Sequence, residues 1–495
     1  MTSLLSALAP FQELAPTAGD WRAILPEIVV AALGLFALLQ ALVLPAGGRW
    51  LIPTVARVGL VLAIVLTWSE PISATYRNGE VVLPFAGLIA QGEALPYWRL
   101  LFLGCALLTS LIASRFIRQH AGDDAEYHHV LLLVTASLMV LAQSSHVVTF
   151  FVALETATVG LYILVGFLRK STASLEAGVK YLVAGGLSSA LLLMGFVLLY
   201  GFAGMSRQAD PLSFAGIGAA IALDPANPLM LTGAALVLCG VAFKLGSFPF
   251  HGWIPDVYQG APTPTTALLA TSSKAAGVVA LILLIDGPFA AIQPKVSSVL
   301  AVLAAGSLLA GNLGALGSTQ TKRALALSGV SHAGFLLAAI STGTYALGIS
   351  LVYLAAYAIA TFATLGALAA IPAESDDRRP LLGLRGLIRR SGSLTASLTL
   401  GIGSLAGIPP SIGFMTKLLV LIALVNAKSW GLLAVSVASV AVSIHYYFSI
   451  IREATSRTEG GETASLEVPW TQRLLALGLG ALTIIGGLAT LLGLG

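Results

Sequence analysis

The chain has 495 residues, of which 57% are hydrophobic and only 10% are charged, and its mean hydropathy is +0.92. Soluble proteins carry about 25% charged residues, so this composition excludes a soluble globular protein and indicates an all-α polytopic membrane protein. The net charge of +4 comes from basic residues scattered over short loops, which is typical of cytoplasmic membrane loops and not of a nucleic-acid surface.

Apolar runs of roughly 20 residues, the length of a membrane-crossing helix, predict about fourteen transmembrane helices. The first twenty residues contain neither lysine nor arginine, so they lack the basic region of a cleaved signal peptide. The segment 80–90 is too short for a span and predicts a hairpin outside the membrane. The predicted spans lie near 24–44, 51–69, 97–117, 127–143, 146–168, 175–200, 229–246, 264–286, 296–316, 323–342, 345–371, 394–427, 430–451 and 472–493.

The basic residues predict the orientation of these spans. With the N-terminus outside, sixteen of the 26 lysines and arginines fall at the inner side and six at the outer side. This bias follows the positive-inside rule. We therefore expect both termini on the periplasmic side of a bacterial inner membrane, with the loop 374–390 inside.

The four remaining basic residues lie within predicted spans, and all four are lysines: Lys180, Lys244, Lys274 and Lys417. An ionisable residue in the membrane is costly and marks a functional site. A desolvated lysine can release its proton, whereas arginine stays charged at any accessible pH. Their pattern indicates a proton relay. Lys180 lies near the end of its span, so an alternative interpretation is that its side chain extends to the membrane–water interface.

The stretch 241–274 combines two of these lysines with an interrupted helix. Pro249 follows Lys244 by five residues and removes a backbone donor, so span seven is expected to break there and to continue as 247–258. Irregular backbone at membrane depth is tolerated where it is buried in protein or lines a watery cavity. A charge beside a helix break therefore predicts an ion site. His251 lies two residues after Pro249, just past the break.

Glu155 is a carboxylate near the middle of a span, where we expect it to pair with a membrane lysine. A purely structural buried ion pair is the alternative. His332 also lies near mid-membrane, and an imidazole can pass a proton between its two nitrogens. For His445 a simple hydrogen bond to backbone is the preferred reading.

Several other polar residues have more ordinary interpretations. Glu27 is expected to meet water or a headgroup at a span entrance, and Asp256 to cap a helix. The histidines and acids over 120–129 lack a metal-ligand spacing and predict a solvated inner loop. Cys105 and Cys239 fall in apolar segments and predict neither a disulfide nor an iron–sulfur cluster.

A weak internal repeat divides the chain. Lys244 precedes the break in span seven, and Lys417 follows a second break at 407–410 in span twelve. If spans four to eight and nine to thirteen form two five-helix units, the units begin on opposite sides, as in ion-coupled transporters with inverted repeats. The predicted divisions are 1–126 for the N-terminal helices and hairpin, 127–286 and 287–451 for the two repeats, and 452–495 for the last helix.

Five segments carry a recognisable pattern of polar residues within apolar runs: ALETATVGLYIL (153–164), SLEAGVKYLVAGGLSSALLLMG (174–195), FKLGSFPFHGWIPDVYQGAPTPTTALLATSSKAAG (243–277), GNLGAL with TKRALALSGVSHAGFLL (311–337) and SLAGIPPSIGFMTK (404–417). They resemble the antiporter-like subunits of respiratory complex I, most closely the subunit N family. The form PDVYQGAPTPTTA favours subunit N over its L and M relatives, as does the lack of a long lateral helix after span fourteen.

This resemblance implies fourteen helices in two inverted five-helix repeats with broken helices seven and twelve. It also implies a carboxylate–lysine pair, Glu155 and Lys244, modulated by Lys180. Lys274 resembles a central bridging lysine and Lys417 a terminal one near the exit. His251 and His332 match histidines of connecting motifs. His445 departs from the tyrosine-rich run that is expected there.

The sequence therefore predicts a proton-translocating subunit of NADH:quinone oxidoreductase with two half-channels joined by buried lysine, glutamate and histidine. The resemblance places NADH, FMN, iron–sulfur clusters and quinone in partner subunits and no cofactor or metal in this chain. Expected partners are other membrane subunits of the complex and the lipid bilayer. A subunit of a multisubunit sodium/proton antiporter is the alternative, and a purely structural subunit is a third reading that the four lysines disfavour.

Overall fold

The structure is a computed structural model that describes residues 16–45, 48–69, 76–77, 80–81, 83–120, 123–343, 346–372, 380–456 and 465–493. These residues form a helical bundle with one small hairpin, in which β1 (Tyr76–Arg77) pairs antiparallel with β2 (Glu80–Val81). The N-terminal helices are α1 (Ala18–Ala23), α2 (Leu25–Val43), α3 (Leu51–Ser69), α4 (Pro84–Gly87) and α5 (Leu95–Gln119).

The remaining helices follow in two series. The first comprises α6 (Asp124–Leu141), α7 (Val147–Val165), α8 (Thr172–Met205), α9 (Phe214–Leu223), α10 (Pro228–Leu245), α11 (Ile254–Gly260), α12 (Thr263–Leu268) and α13 (Lys274–Asp286). The second comprises α14 (Gln293–Leu316), α15 (Thr321–Ser341), α16 (Ala346–Ala370), α17 (Leu387–Arg390), α18 (Gly392–Ala406), α19 (Ile412–Asn426), α20 (Trp430–Thr455) and α21 (Trp470–Leu491). Short 3₁₀ turns lie at Ala290–Ile292 and Leu381–Leu384.

Each predicted span coincides with a helix or with a pair of half-helices. Twelve helices of the described ranges are long and apolar enough to cross a membrane. The predicted fourth and twelfth spans are not among them, because α6 begins with acidic residues and histidines and because α18 and α19 are only 15 residues each. The all-helical membrane fold is confirmed, whereas the count of fourteen stays a prediction.

Both predicted breaks are present, and glycine produces them. The α10 helix ends at Leu245 with Gly246 in the left-handed conformation (φ 70°), and α18 ends at Ala406 with Gly407 at φ 81°. A left-handed residue after the last turn is the usual end of a helix, and glycine adopts it without the Cβ penalty. Span seven therefore stops before Pro249, which was expected to be the breaker.

Two details of the connections differ from the predictions. The hairpin lies earlier than 80–90, and Phe85 and Ala86 within α4 have positive φ angles of 52° and 54°. The ten-residue α9 was not predicted, because its apolar run is too short for a span.

Two spans form the centre of the bundle. The eighth joins α12 and α13 through a π-helical segment, Leu269–Ser273, and the tenth is α15. In each, 94% of the apolar window is buried, against 28% for the first span, α2, and the last, α21. Polar groups on these two spans are thus held away from lipid.

A buried ion pair joins the N-terminal helices at one end of the bundle. Arg99 Nε donates to Glu27 Oε1 over 2.7 Å, and Gln143 donates to the same oxygen over 3.0 Å. The expectation that Glu27 meets water or a headgroup was wrong, since its side chain is only 3% exposed. The guanidinium compensates the buried carboxylate, without which burial would cost several kcal/mol.

The predicted solvated loop over 120–129 was also wrong in part. His128 is completely buried, with Nε2 at 2.8 Å from Ser110 Oγ and Nδ1 at 3.1 Å from Asp124 Oδ1. Arg57 donates to the hydroxyls of Ser110 and Ser114 in the same network. Within the described ranges no group of three or more His, Cys, Asp and Glu residues could hold a metal ion.

Candidate functional site

The first element of the site is an ion pair between α7 and α10. Lys244 Nζ lies 3.1 Å from Glu155 Oε1 and donates to Thr158 Oγ1 over 2.9 Å. Ser189 on α8 donates to Glu155 Oε2 over 2.6 Å. Glu155 and Thr158 share a helix face because they are three residues apart. The lysine side chain is 4% exposed and the glutamate 21%, so the carboxylate lies nearer the side of the bundle.

Lys274 occupies the centre and has a different environment. It is the first residue of α13, directly after the π-helical segment, and it is buried. Its ammonium donates to the carbonyl oxygens of Leu245 over 3.3 Å and Gly329 over 2.9 Å. Because Leu245 ends α10, Lys274 supplies a positive charge at the carbonyl end of that half-helix. The ammonium thus lies next to the residue that follows Lys244.

Lys417 makes the corresponding contact at the second break. It lies on α19 and donates to the carbonyls of Leu405 and Ala406, the last residues of α18, over 2.8 and 2.9 Å. Its Nζ also lies 5.4 Å from the centre of the Phe335 ring. In both broken spans a buried lysine therefore satisfies the carbonyl end of the first half-helix. At the break in span seven that lysine is Lys274, which belongs to span eight, whereas at the break in span twelve it is Lys417 of the same span.

The helix α15 connects these two lysines. Gly329 contacts Lys274, Phe335 contacts Lys417, and His332 lies between them at three-residue steps. Residues three apart lie on one helix face. We call Glu155, Lys244, Lys274, His332 and Lys417 the central polar chain. Among the described residues, no direct hydrogen bond joins one of its lysines to the next.

Two tyrosines hold His332 in this position. Its Nδ1 lies 2.7 Å from the hydroxyl of Tyr353 on α16, and its Nε2 lies 3.1 Å from the hydroxyl of Tyr447 on α20. A hydroxyl can donate or accept, so either imidazole tautomer is satisfied. A second contact series lies alongside, in which Tyr446 donates to Asn312 and Asn312 donates to Ser331.

Lys180 lies apart from the central polar chain. Its Nζ contacts Glu176 over 2.7 Å and Asp256 over 3.0 Å, and its side chain is 46% exposed. Asp256 also pairs with Arg323 over 2.6 Å, so it joins three helices instead of capping α11 as predicted. Glu176, Lys180 and Asp256 line a polar cavity of about 240 Å³, together with Gln259 and Gly260.

His251 also lies apart from the chain. It follows the break after α10 and is half-buried, with its ring 5.9 Å from that of Phe248. Its Nδ1 is buried without a hydrogen-bond partner within the described part of the protein. His445, by contrast, is exposed on the outside of α20, while its neighbours Tyr446 and Tyr447 are buried.

The sequence interpretation missed the uncharged members of the site: Thr158, Ser189, Asn312, Ser331, Tyr353, Tyr446 and Tyr447. The tyrosines at 446 and 447 were visible as a polar pair inside an apolar run. A lone serine or threonine in a span carries no comparable signal, because such residues commonly bond to their own helix backbone.

Comparisons with known proteins identify the family. The family described as "NADH:quinone oxidoreductase/Mrp antiporter, TM" matches residues 144–443. NADH-quinone oxidoreductase subunit N 1 of Opitutus terrae is 45% identical over 453 residues, which cover 90% of this chain and 89% of that protein.

Two solved structures share the fold. A chain of respiratory complex I from Thermus thermophilus, solved with bound aureothin, superposes with a TM-score of 0.76 at 31% identity, covering 95% of this chain and 98% of that one. A chain of the Mrp complex from Dietzia sp. superposes with a TM-score of 0.80 at 22% identity, covering 97% and 96%, and shows the fold alone. Together with the family match and the Opitutus relative, these likenesses mean that the chain belongs to the NADH:quinone oxidoreductase/Mrp antiporter membrane family, in the branch of NADH-quinone oxidoreductase subunit N.

Proposed function

We propose that this chain moves protons across the membrane through the central polar chain, as a subunit of an NADH:quinone oxidoreductase. The observation that carries the proposal is the set of three buried lysines in the central polar chain, of which only Lys244 has a carboxylate partner within the described ranges. Buried ammonium groups are expensive and are retained where they transfer protons or bind ions.

The Glu155–Lys244 pair is proposed as the control point. A nearby opposite charge favours the protonated amine, whereas desolvation favours the neutral amine. When Glu155 moves away from the 3.1 Å contact, the lysine is left desolvated and releases its proton. Ser189 and Thr158, which bond to the two partners, limit how far each side chain moves.

From Lys244 the proposed route runs through Lys274 and His332 to Lys417. His332 lies between two tyrosine hydroxyls, so it can accept a proton on one nitrogen and give one up from the other. Ordered water between the lysines would complete the path, since water bridges polar groups nearly as well as a direct hydrogen bond. Lys417, at the second break, is proposed as the last carrier before the exit.

Lys180 and His251 are proposed to act outside this route. The cavity beside Lys180 is lined by charged side chains and the amide of Gln259, and it lies near the start of α8, which Arg169 and Lys170 directly precede in the chain. We propose that protons reach the buried chain from the cytoplasm through it. His251, beside the break, is proposed to respond to movement of the irregular segment 246–253.

The flank of α7 and α8 is proposed as a contact with a neighbouring membrane subunit. Glu155 is 21% exposed there among apolar side chains such as Val152, Val159 and Leu187. A carboxylate open to lipid at mid-membrane is costly, so a protein neighbour covers it. The NADH, FMN, iron–sulfur and quinone chemistry is assigned to partner subunits, and the location to a bacterial inner membrane with both termini outside.

A cation/proton antiporter is the second candidate, favoured by the likeness to the Mrp complex chain. The test uses inverted membrane vesicles that contain the assembled oxidoreductase. Quinone-dependent acidification that is strongly reduced in Lys274→Ala and Lys417→Ala supports the proposal. A sodium gradient that drives pH change through this chain without any redox substrate would favour the antiporter instead.

A further inference from the structure

A large apolar groove lies between α5 and α16, outside the central polar chain. Its volume is about 520 Å³, and Tyr97 and Gly104 on α5 face Gly348, Val352 and Ile359 on α16. Glycine contributes to the width of the groove. A Cβ atom built at Gly104 or at Gly348 meets no atom within 4 Å.

The groove has the depth of one membrane leaflet. It extends from 97 to 108 on α5 and from 348 to 359 on α16, about 16 Å on each helix at 1.5 Å per residue. Half of the roughly 30 Å hydrocarbon core of a bilayer is about 15 Å. Both stretches begin two residues after the helix starts at Leu95 and Ala346, so the groove runs from the membrane surface to the middle.

The two helices that line the groove also contact the π-helical segment next to the central lysine. Cys105 lines the groove and approaches the hydroxyls of Thr271 and Ser272 in the π-helical segment. Both α5 and α16 pack against that segment, which directly precedes Lys274. A molecule in the groove would therefore sit behind the backbone that carries Lys274.

We propose that this groove binds one acyl chain of a phospholipid from the outer leaflet. The lining is apolar apart from Tyr97, whose amphipathic ring lies at the interface end where headgroups are found. Water is excluded from an apolar space of this kind, and the side open to the bilayer admits hydrocarbon. The depth of one leaflet matches a single lipid chain and is too short for a transmembrane helix of about 20 residues.

The test is photolabelling of the assembled complex in native membranes with a phosphatidylethanolamine that carries a diazirine on its acyl chain. Labelled peptides are expected from 97–108 and 348–359. Gly104→Leu fills the groove without a clash at its Cβ position and should lose this labelling. The matched control Gly478→Leu lies on the exposed side of α21, also with no atom within 4 Å of its Cβ, and should retain it.

A second variant keeps the test decisive if Gly104→Leu fails to assemble. Val352→Phe narrows the groove from the α16 side, where Val352 is 44% exposed, and should also lose the labelling. Labelling of 97–108 and 348–359 that is unchanged in both variants would overturn the proposal. A photoreactive benzoylphenylalanine at 352 that crosslinks to another protein, or a prenyl-quinone probe that displaces the lipid label, would overturn it too.

Discussion

Lys244 differs from the other two buried lysines of the central polar chain because a carboxylate lies 3.1 Å from its ammonium. Lys274 and Lys417 instead donate to backbone carbonyls at the ends of half-helices. Carbonyl dipoles stabilise a cation without supplying a full opposite charge. At the scale of single residues, this difference supports the proposal that control of the proton is concentrated at Glu155 and Lys244.

Lys244→Arg is expected to assemble and yet to stop pumping nearly as completely as Lys244→Ala. Arginine keeps the charge beside Glu155 but does not release its proton at any accessible pH. Glu155→Gln should also fail, because it removes the partner, whereas Glu155→Asp should keep part of the activity. Quinone reduction and vesicle acidification, measured on membranes with confirmed assembly, check this. Full pumping by Lys244→Arg would show that only the charge matters.

Lys274→Ala is expected to leave assembly intact and to reduce pumping strongly, since it removes the proposed link between Lys244 and His332. Some coupling can persist through water that replaces the side chain. The measurement is the number of protons moved per electron. A parent-like ratio would mean that Lys274 is not an obligatory carrier.

Among the elements, the two broken spans matter most because each exposes carbonyl groups that a buried lysine satisfies. Gly246 and Gly407 end the first half-helices in the left-handed conformation. A Cβ at Gly246 would lie 2.0 Å from Ile254 Cδ1, and one at Gly407 would lie 3.0 Å from Lys417 Cδ. The position of the Lys417 side chain thus depends directly on the absence of a side chain at Gly407.

Gly246→Ala is expected to destabilise the chain by about 1–2 kcal/mol from the left-handed conformation alone, with more from the contact with Ile254. Thermal dissociation of the subunit from the purified complex should therefore occur at a lower temperature. The matched control is Gly478→Ala, which lies in the interior of α21 with no atom within 4 Å of the new Cβ. This control should be neutral or stabilising by up to about 1 kcal/mol. An unchanged dissociation temperature for Gly246→Ala would contradict the explanation of the break.

The buried Glu27–Arg99 pair makes a second prediction at the scale of elements, because it joins α2 to α5. Glu27→Gln leaves the guanidinium uncompensated and should cost about 3–5 kcal/mol of folding free energy. The double variant Glu27→Gln, Arg99→Met removes both charges and should recover part of that loss. Yield of folded chain in detergent and its thermal stability are the readouts. Equal stability of the single variant and the parent would mean that the pair contributes little.

At the scale of the whole molecule, the testable property is the orientation of the bundle across the membrane. The charge bias predicts Lys170 on the inner side and Lys428 on the outer side, and both are exposed. In a background without the two native cysteines, a membrane-impermeant maleimide added outside should label Lys428→Cys and leave Lys170→Cys unlabelled. The reverse pattern would invert the topology. The predicted inner position of Ser375 lies outside the described residues.

Much of the architecture follows from the sequence alone. Apolar length determines a membrane span locally, because a helix in lipid must satisfy its own backbone hydrogen bonds. This is why the predicted spans match the helices to within a few residues and why the two breaks, marked by glycine and proline, were found. Lys244, Lys274, Lys417 and Glu155 were also evident, since a charge in an apolar run needs no tertiary information to be noticed. The burial of Lys322, which was counted among the inner basic residues, was not predicted.

The tertiary structure decided which of these charges meet. The sequence could not place Arg99 beside Glu27 or enclose His128 between Ser110 and Asp124, because these contacts join residues far apart in the chain or depend on which helix faces are buried. Lys180 was expected beside the Glu155–Lys244 pair, yet its contacts go to Glu176 and Asp256. Hydrophobicity specifies that a helix lies in the membrane but leaves its rotation and neighbours open. Helix packing decides those, and it brings Lys274, His332 and Lys417 together along α15.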